Sequence, residues 1–123
     1  MNEQRVSAQS AWGRVSYPVF EDDTAPKPAA EMNAFYEALR EAVLQYAAQL
    51  NERREDGLRL VSAEYVTVFD GERITVTYTL TVRRRGRVIG RKRLTHVWEA
   101  GVMIPPQKMC PGIFRRRRGA GKG

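Results

Sequence analysis

The feature that most constrains this chain is a single long stripe of apolar residues at helical spacing. Met32, Phe35, Tyr36, Leu39, Val43, Tyr46, Ala47 and Leu50 recur at three- and four-residue steps between about residues 29 and 53. That spacing predicts an amphipathic helix about six turns long. Glu31, Glu37, Arg40, Glu41, Gln45, Gln49 and Glu52 fall mainly on its other side. Glu37 and Glu41 are four residues apart, but Arg40 lies beside both, so they read as helix surface rather than as a catalytic carboxylate pair. Arg53 and Arg54 suit the negative end of the helix dipole, and Glu55-Asp56-Gly57 ends the helix. A stripe of this length has to be buried, and the only surface available is a sheet.

The strands are read from alternation and turn residues. Val15, Tyr17 and Val19 alternate with Ser16 and Pro18 within residues 12 to 20, and Pro18 confines that strand to an edge or an end. Residues 21 to 28, with two prolines, read as a loop. After the helix, Leu58 to Phe69 is rich in β-branched and aromatic residues and runs into the turn signal Asp70-Gly71. Ile74, Val76, Tyr78, Leu80 and Val82 alternate strictly with Thr75, Thr77, Thr79 and Thr81, as on a strand with one wet face. Arg85-Gly86 turns the chain again into Arg87 to Trp98. The parity of that strand is imperfect, which a bulge near Gly90 or a twisted edge would explain. Ala100-Gly101 leads to a short last strand at Val102 to Ile104.

The expected fold is therefore α+β: one long helix packed on a curved antiparallel sheet in the order β-α-β-β-β, a cystatin-like topology. Residues 12 to 106 form the single domain, residues 1 to 11 a mobile leader, and residues 107 to 123 a disordered basic tail. Phe35, Leu39, Val43, Tyr46, Val76, Tyr78 and Leu80 are expected among the most buried side chains.

With 123 residues the chain suits one domain, and no apolar run approaches the length of a membrane helix. No export signal is read at the start, which places the chain in the cytoplasm as written, or outside it if such a signal lies beyond this sequence. One cysteine excludes an internal disulfide, and one histidine excludes a His/Cys zinc site of ordinary ligand count. His96 has the right intrinsic pKa for a general base, but no neighbouring Ser or Cys completes a triad, and beside Trp98 it reads as a packed sheet residue. Cys110 stands near Lys108, a setting that lowers a thiol pKa, yet it reads as incidental. Gly119-Ala120-Gly121-Lys122-Gly123 lacks the strand and helix that a phosphate loop requires. No catalytic residues, metal ligands or cofactors are expected.

Charge is the stronger signal. The net charge is +7, but residues 1 to 82 carry −5 and residues 83 to 123 carry +12, with Glu99 the single acid of the second part. Arg83, Arg84, Arg85 and Arg87 crowd one turn, Arg91, Lys92 and Arg93 follow, and Arg115, Arg116, Arg117 and Arg118 lie in the tail. Concentrated charge of this kind suits a phosphate backbone or another anionic surface; equally, arginines keep a sheet edge soluble and unpaired. The threonine row Thr75, Thr77, Thr79 and Thr81 is a candidate ligand face for a glycan or a peptide strand, or simply a β-prone wet face.

Tyr17-Pro18-Val19-Phe20, a polar loop, Met32-Asn33 opening a long helix, then Leu60-Val61-Ser62 and a hairpin meander resemble a bacterial envelope domain over about residues 14 to 105. This is the outer-facing domain of lysozyme-sensing anti-sigma factors, also found beside some peptidoglycan deacetylase domains. Members often carry Gly-Ala-His in the late meander; here Leu94-Thr95-His96 stands without the glycine. The resemblance implies the helix-on-sheet fold and a ligand-facing module with a protein or cell-wall ligand and no catalytic residues. The expected function is a non-enzymatic binding or sensing module of this type. The alternative is a small polyanion-binding protein that uses the basic hairpin and tail on nucleic acid or an anionic surface.

Overall fold

The computed structural model describes residues 1–52 and 58–105. The expected tail, with Cys110 and Arg115 to Arg118, lies outside the described residues. Strands β1 (Asn2–Gln9) and β2 (Gly13–Glu21) precede helix α1 (Pro26–Asn51). Strands β3 (Arg59–Asp70), β4 (Arg73–Arg84), β5 (Arg87–Glu99) and β6 (Val102–Ile104) follow it. The fold is α+β, with six strands in the sheet order β1-β2-β3-β4-β5-β6.

Two expectations are corrected. The polar leader forms β1, paired antiparallel with the whole of β2. Only Val6 and Ala8 of this strand pack towards the core, so its apolar signal is weak and its polar residues suit an edge. The sheet is also mixed rather than wholly antiparallel, because β2 and β3 run parallel. Parallel neighbours need a crossover connection, which α1 supplies between β2 and β3.

The parallel ladder is short: Gly13, Arg14 and Val15 pair with Val61, Ser62 and Ala63, and then the strands part. Side chains take over the backbone groups beyond that point. The Tyr78 hydroxyl donates to the Ser16 carbonyl at 2.8 Å, and Arg5 Nη2 donates to the Tyr65 carbonyl at 2.9 Å. Asn33 of the helix acts as a substitute strand residue. Its Oδ1 accepts from the Phe20 N–H at 2.7 Å and its Nδ2 donates to the Phe20 carbonyl at 2.9 Å. Asn51 repeats the device at the other end of the helix, on the N–H and carbonyl of Arg59.

The helix buries Ala29, Met32, Tyr36, Val43 and Ala47 against Val15, Phe20, Val61, Ala63, Val76 and Tyr78. Of the residues expected to be deepest, Val43, Val76 and Tyr78 are buried, whereas Phe35, Leu39 and Leu80 are half-buried and Tyr46 is 44% exposed. The stripe is thus turned towards β2 and β3, and one flank of it stays open. The hairpins follow their turn residues. The bulge falls at Ile89, which the ladder skips where Val82 pairs with Gly90 and Arg83 with Val88. At the β5–β6 turn, Gly101 has φ +81°, and a Cβ there would lie 2.4 Å from the Pro28 Cβ, so the turn is locked on the first turn of the helix.

Substitutions at Asn33 and Gly101 test these anchors. Asn33→Ala leaves two backbone groups of a buried strand without partners and should lower stability by about 2–4 kcal/mol in denaturant unfolding. Asn33→Asp, which still accepts but no longer donates, should fall between it and the parent. Gly101→Ala should be more destabilising than Gly71→Ala, since Gly71 shares the positive φ but a Cβ there meets nothing within 4 Å.

Candidate anion-binding face

Alternation along the strands decides which arginines share a surface. Tyr36 stacks on Tyr78, so the helix covers the face of β4 that carries Val76 and Tyr78. The threonine row faces the other way. Register then sets its neighbours: Thr79 pairs with Glu64 and Arg93, Thr81 with Ser62 and Arg91, and Ser62 with Arg14 of β2. Arg83 lies next along the same face, opposite Leu60, and its Nη1 donates to the Ser62 Oγ at 3.4 Å. Arg14, Arg83, Arg91 and Arg93 therefore surround two hydroxyls, on strands spaced about 4.8 Å apart.

The basic hairpin is divided by the same rule. Lys92 pairs with Leu80 and lies on the helix side. Arg84, paired with Arg59 and Arg87, also falls on that side by parity. Arg85 occupies a left-handed position of the turn (φ 53°). The tail arginines are outside the described residues. Of the expected ligand face, Thr75, Thr77 and Thr79 are half-buried, but Thr81 is only 7% exposed between Ser62 and Arg91. The row does not present four equivalent hydroxyls.

Beside the β1–β2 turn the face deepens into a cleft of about 290 Å³. Arg14, Arg83, Ser62, Ser10 and Gln9 supply its polar lining, and Trp12 an aromatic wall. The turn is held by the Ser10 N–H on the Gly13 carbonyl at 2.8 Å and by the Val61 N–H on the Trp12 carbonyl at 2.9 Å. Guanidiniums with adjacent hydroxyls and an amide suit a carboxylate, sulfate or phosphate group. Arg14 was missing from the sequence-based set. It reaches this face only through the parallel pairing of β2 with β3, for which nothing local in the sequence is diagnostic.

His96 belongs to a different cluster, on the helix side. The Tyr36 hydroxyl accepts from Trp98 Nε1 at 2.8 Å and lies 3.3 Å from His96 Nδ1. The roles in that contact follow the His96 tautomer: the hydroxyl donates to a bare Nδ1 and accepts, through its second lone pair, from a protonated one. Burial pushes the Tyr36 hydroxyl well above the ordinary tyrosine range. Burial also holds the His96 imidazole below its usual 6.5. Phe35 meets both rings edge-on at 5.0 Å. His96 is thus part of an aromatic cluster packed between helix and sheet. Among the described residues no group of three His, Cys, Asp or Glu is placed to hold a metal ion, and no helix is long and apolar enough to cross a membrane.

Because its folded-state pKa is depressed, neutral His96 contributes stability that is complete above about pH 6.5 and is lost as the pH falls towards the lower folded-state value. Melting temperature should therefore drop below pH 6.5. His96→Asn, which keeps an acceptor and does not titrate, should flatten that part of the profile. An unchanged slope in the variant would assign the drop to other groups.

No protein-family model matches the sequence, and no curated protein matches it.

Proposed function

We propose that this chain is a non-enzymatic binding module of the bacterial-envelope type whose ligand is a linear polyanion. The observation that carries the reading is the gathering of Arg14, Arg83, Arg91 and Arg93 from three strands around Ser62 and Thr81. Like charges on adjacent strands repel one another, and the repulsion is relieved when an anion is bound. The face offers no Asn to read a base edge and only Gln9 at its margin, which favours recognition of repeated charge over sequence. The resemblance to the anti-sigma sensing domain, with a cystatin-like course of one helix on a curved sheet, belongs to the same reading. Phosphodiesters are the shared chemistry of the two natural sources, nucleic acid and anionic wall polymer.

Binding should be salt-steep. Engaging about four phosphates of duplex DNA gives a log–log slope of about −3.6. Titrations with a DNA duplex and with a poly(glycerol phosphate) chain separate the sources. The triple change Arg83→Ser, Arg91→Ser, Arg93→Ser should remove most of that slope, while Arg87→Ser, on the other parity, should change it little. Removal of residues 115 to 118 measures the share of the tail. Absence of binding to both polymers at low salt would leave the arginines as protection of the sheet against association.

A further inference from the structure

The open flank of the helix faces the inner side of β4 and β5, and the space between them is a continuous apolar groove. One part, about 430 Å³, is lined by Phe35, Leu39 and Val43 on one wall and Leu80 and Leu94 on the other. A second part, about 350 Å³, shares Tyr46, Leu80 and Leu94 with the first and ends at Gly90, Arg91 and Lys92. Both volumes fall within the range of small-molecule sites. Lys92 stands on the helix-facing side of β5, paired with Leu80, at a parity where the rest of the strand carries Leu94, His96 and Trp98. Gly90, the next inward position, has no side chain to fill the mouth.

We propose that this groove binds a single-chain amphiphile with an anionic head, the alkyl chain lying along the helix and the head meeting Lys92. Charge complementarity selects this occupant. Among the described residues the walls are apolar and the cations stand at one end, which matches a molecule with one charged end. A second copy related by a two-fold axis would bring the same basic rim to both sides of the contact. The length agrees as well. Phe35 to Tyr46 spans about 16 Å of helix, the reach of an extended chain of about twelve carbons at about 1.25 Å per carbon along the zigzag. The groove is on the sheet face opposite the arginine cleft, and among the described residues the two sites meet only at Arg91 on the groove's rim.

The test is calorimetric titration of the full chain with dodecanoate and with dodecyl phosphate, both below micelle formation, and with dodecyltrimethylammonium as the cation of equal length. Dodecanoate and dodecyl phosphate should each bind at one site, and the two arms separate a fatty-acid head from a phospholipid-like one. The cation should bind at least tenfold more weakly. Lys92→Glu, a change at an exposed position, should weaken the anions at least tenfold and reverse the preference. Ala42→Trp places an indole in the groove from an exposed helix position and should abolish binding of all three; Ala38→Trp serves if that variant is unfolded by circular dichroism. The proposal is overturned if neither anion binds, if the cation binds equally well, or if both tryptophan variants bind normally. It is also overturned if sedimentation shows a dimer that Ala42→Trp dissociates, which would assign the groove to a second copy.

Discussion

The whole architecture hangs on a ladder of three residue pairs, Gly13 to Val15 against Val61 to Ala63. Among the described residues it is the only strand pairing between the β1–β2 hairpin and the four-stranded meander. Once the two strands part, the backbone groups of β2 and β3 that would have paired need other partners, because buried ones left unmade cost more than a made bond returns. Tyr78, Arg5 and Asn33 provide them. The side chains that close the gap come from β4, β1 and the helix, so every layer of the domain is tied to the same seam. Arg5 adds a second role there, with its guanidinium 4.2 Å from the centre of the Tyr65 ring and paired with Glu64 at 3.4 Å. That exposed ion pair adds little by itself; the bond to the Tyr65 carbonyl and the ring contact matter more.

Local rules carried the sequence reading a long way. The helix stripe, the strict alternation of residues 74 to 82, the turns at Gly71, Gly86 and Gly101, and the broken parity before Gly90, as either a bulge or a twisted edge, were readable, since each depends on neighbours in the chain. What escaped is long-range. β1 has too few apolar residues to show a period, and its pairing rests on Val6 and Ala8 meeting Tyr17 and Val15. The parallel register of β2 with β3 follows from where the helix delivers the chain, and Arg14 joins the candidate face through that register alone. The rotation of the helix was hidden for a related reason. Phe35, Leu39 and Tyr46 satisfy the helical period as well as Met32, Tyr36 and Val43 do, and only the sheet beneath decides which of the two rows is covered.

The arginines show the same limit from the other side. As a run in the sequence they form one basic hairpin, but a strand cannot present consecutive residues on one face. The alternation sends Arg91 and Arg93 outward and Lys92 inward, so one cluster in the text becomes two sites of different character. The outward set meets hydroxyls and Arg14; the inward lysine meets leucines. Among the described residues β6 covers only Val97 to Glu99 of β5, and charged side chains on both faces of the remaining edge discourage another strand from adding to it.

The position of the helix follows from side-chain size. On the β2 side the contacts are small: a Cβ on Gly13 would lie 3.1 Å from the Ala47 Cβ, and Ala63 and Val15 are fully buried nearby. The helix can therefore approach β2 and β3 closely near its C-terminal end. On the β4–β5 side the filling is aromatic. Tyr36, Tyr78, Trp98 and Phe35 stand with ring centres 5.0 to 6.0 Å apart and act as a wedge near the other end. The hydrogen bonds of Trp98 and His96 to the Tyr36 hydroxyl fix that wedge, so it cannot flatten to let the helix settle onto β4. Between the small residues on one side and the aromatic cluster on the other, Leu80 and Leu94 stay half-buried along the groove. Closing the groove would require either breaking the Tyr36 network in a buried site or lifting Ala47 off Gly13. Both exchanges forfeit packing already made, and so the apolar flank remains open between them.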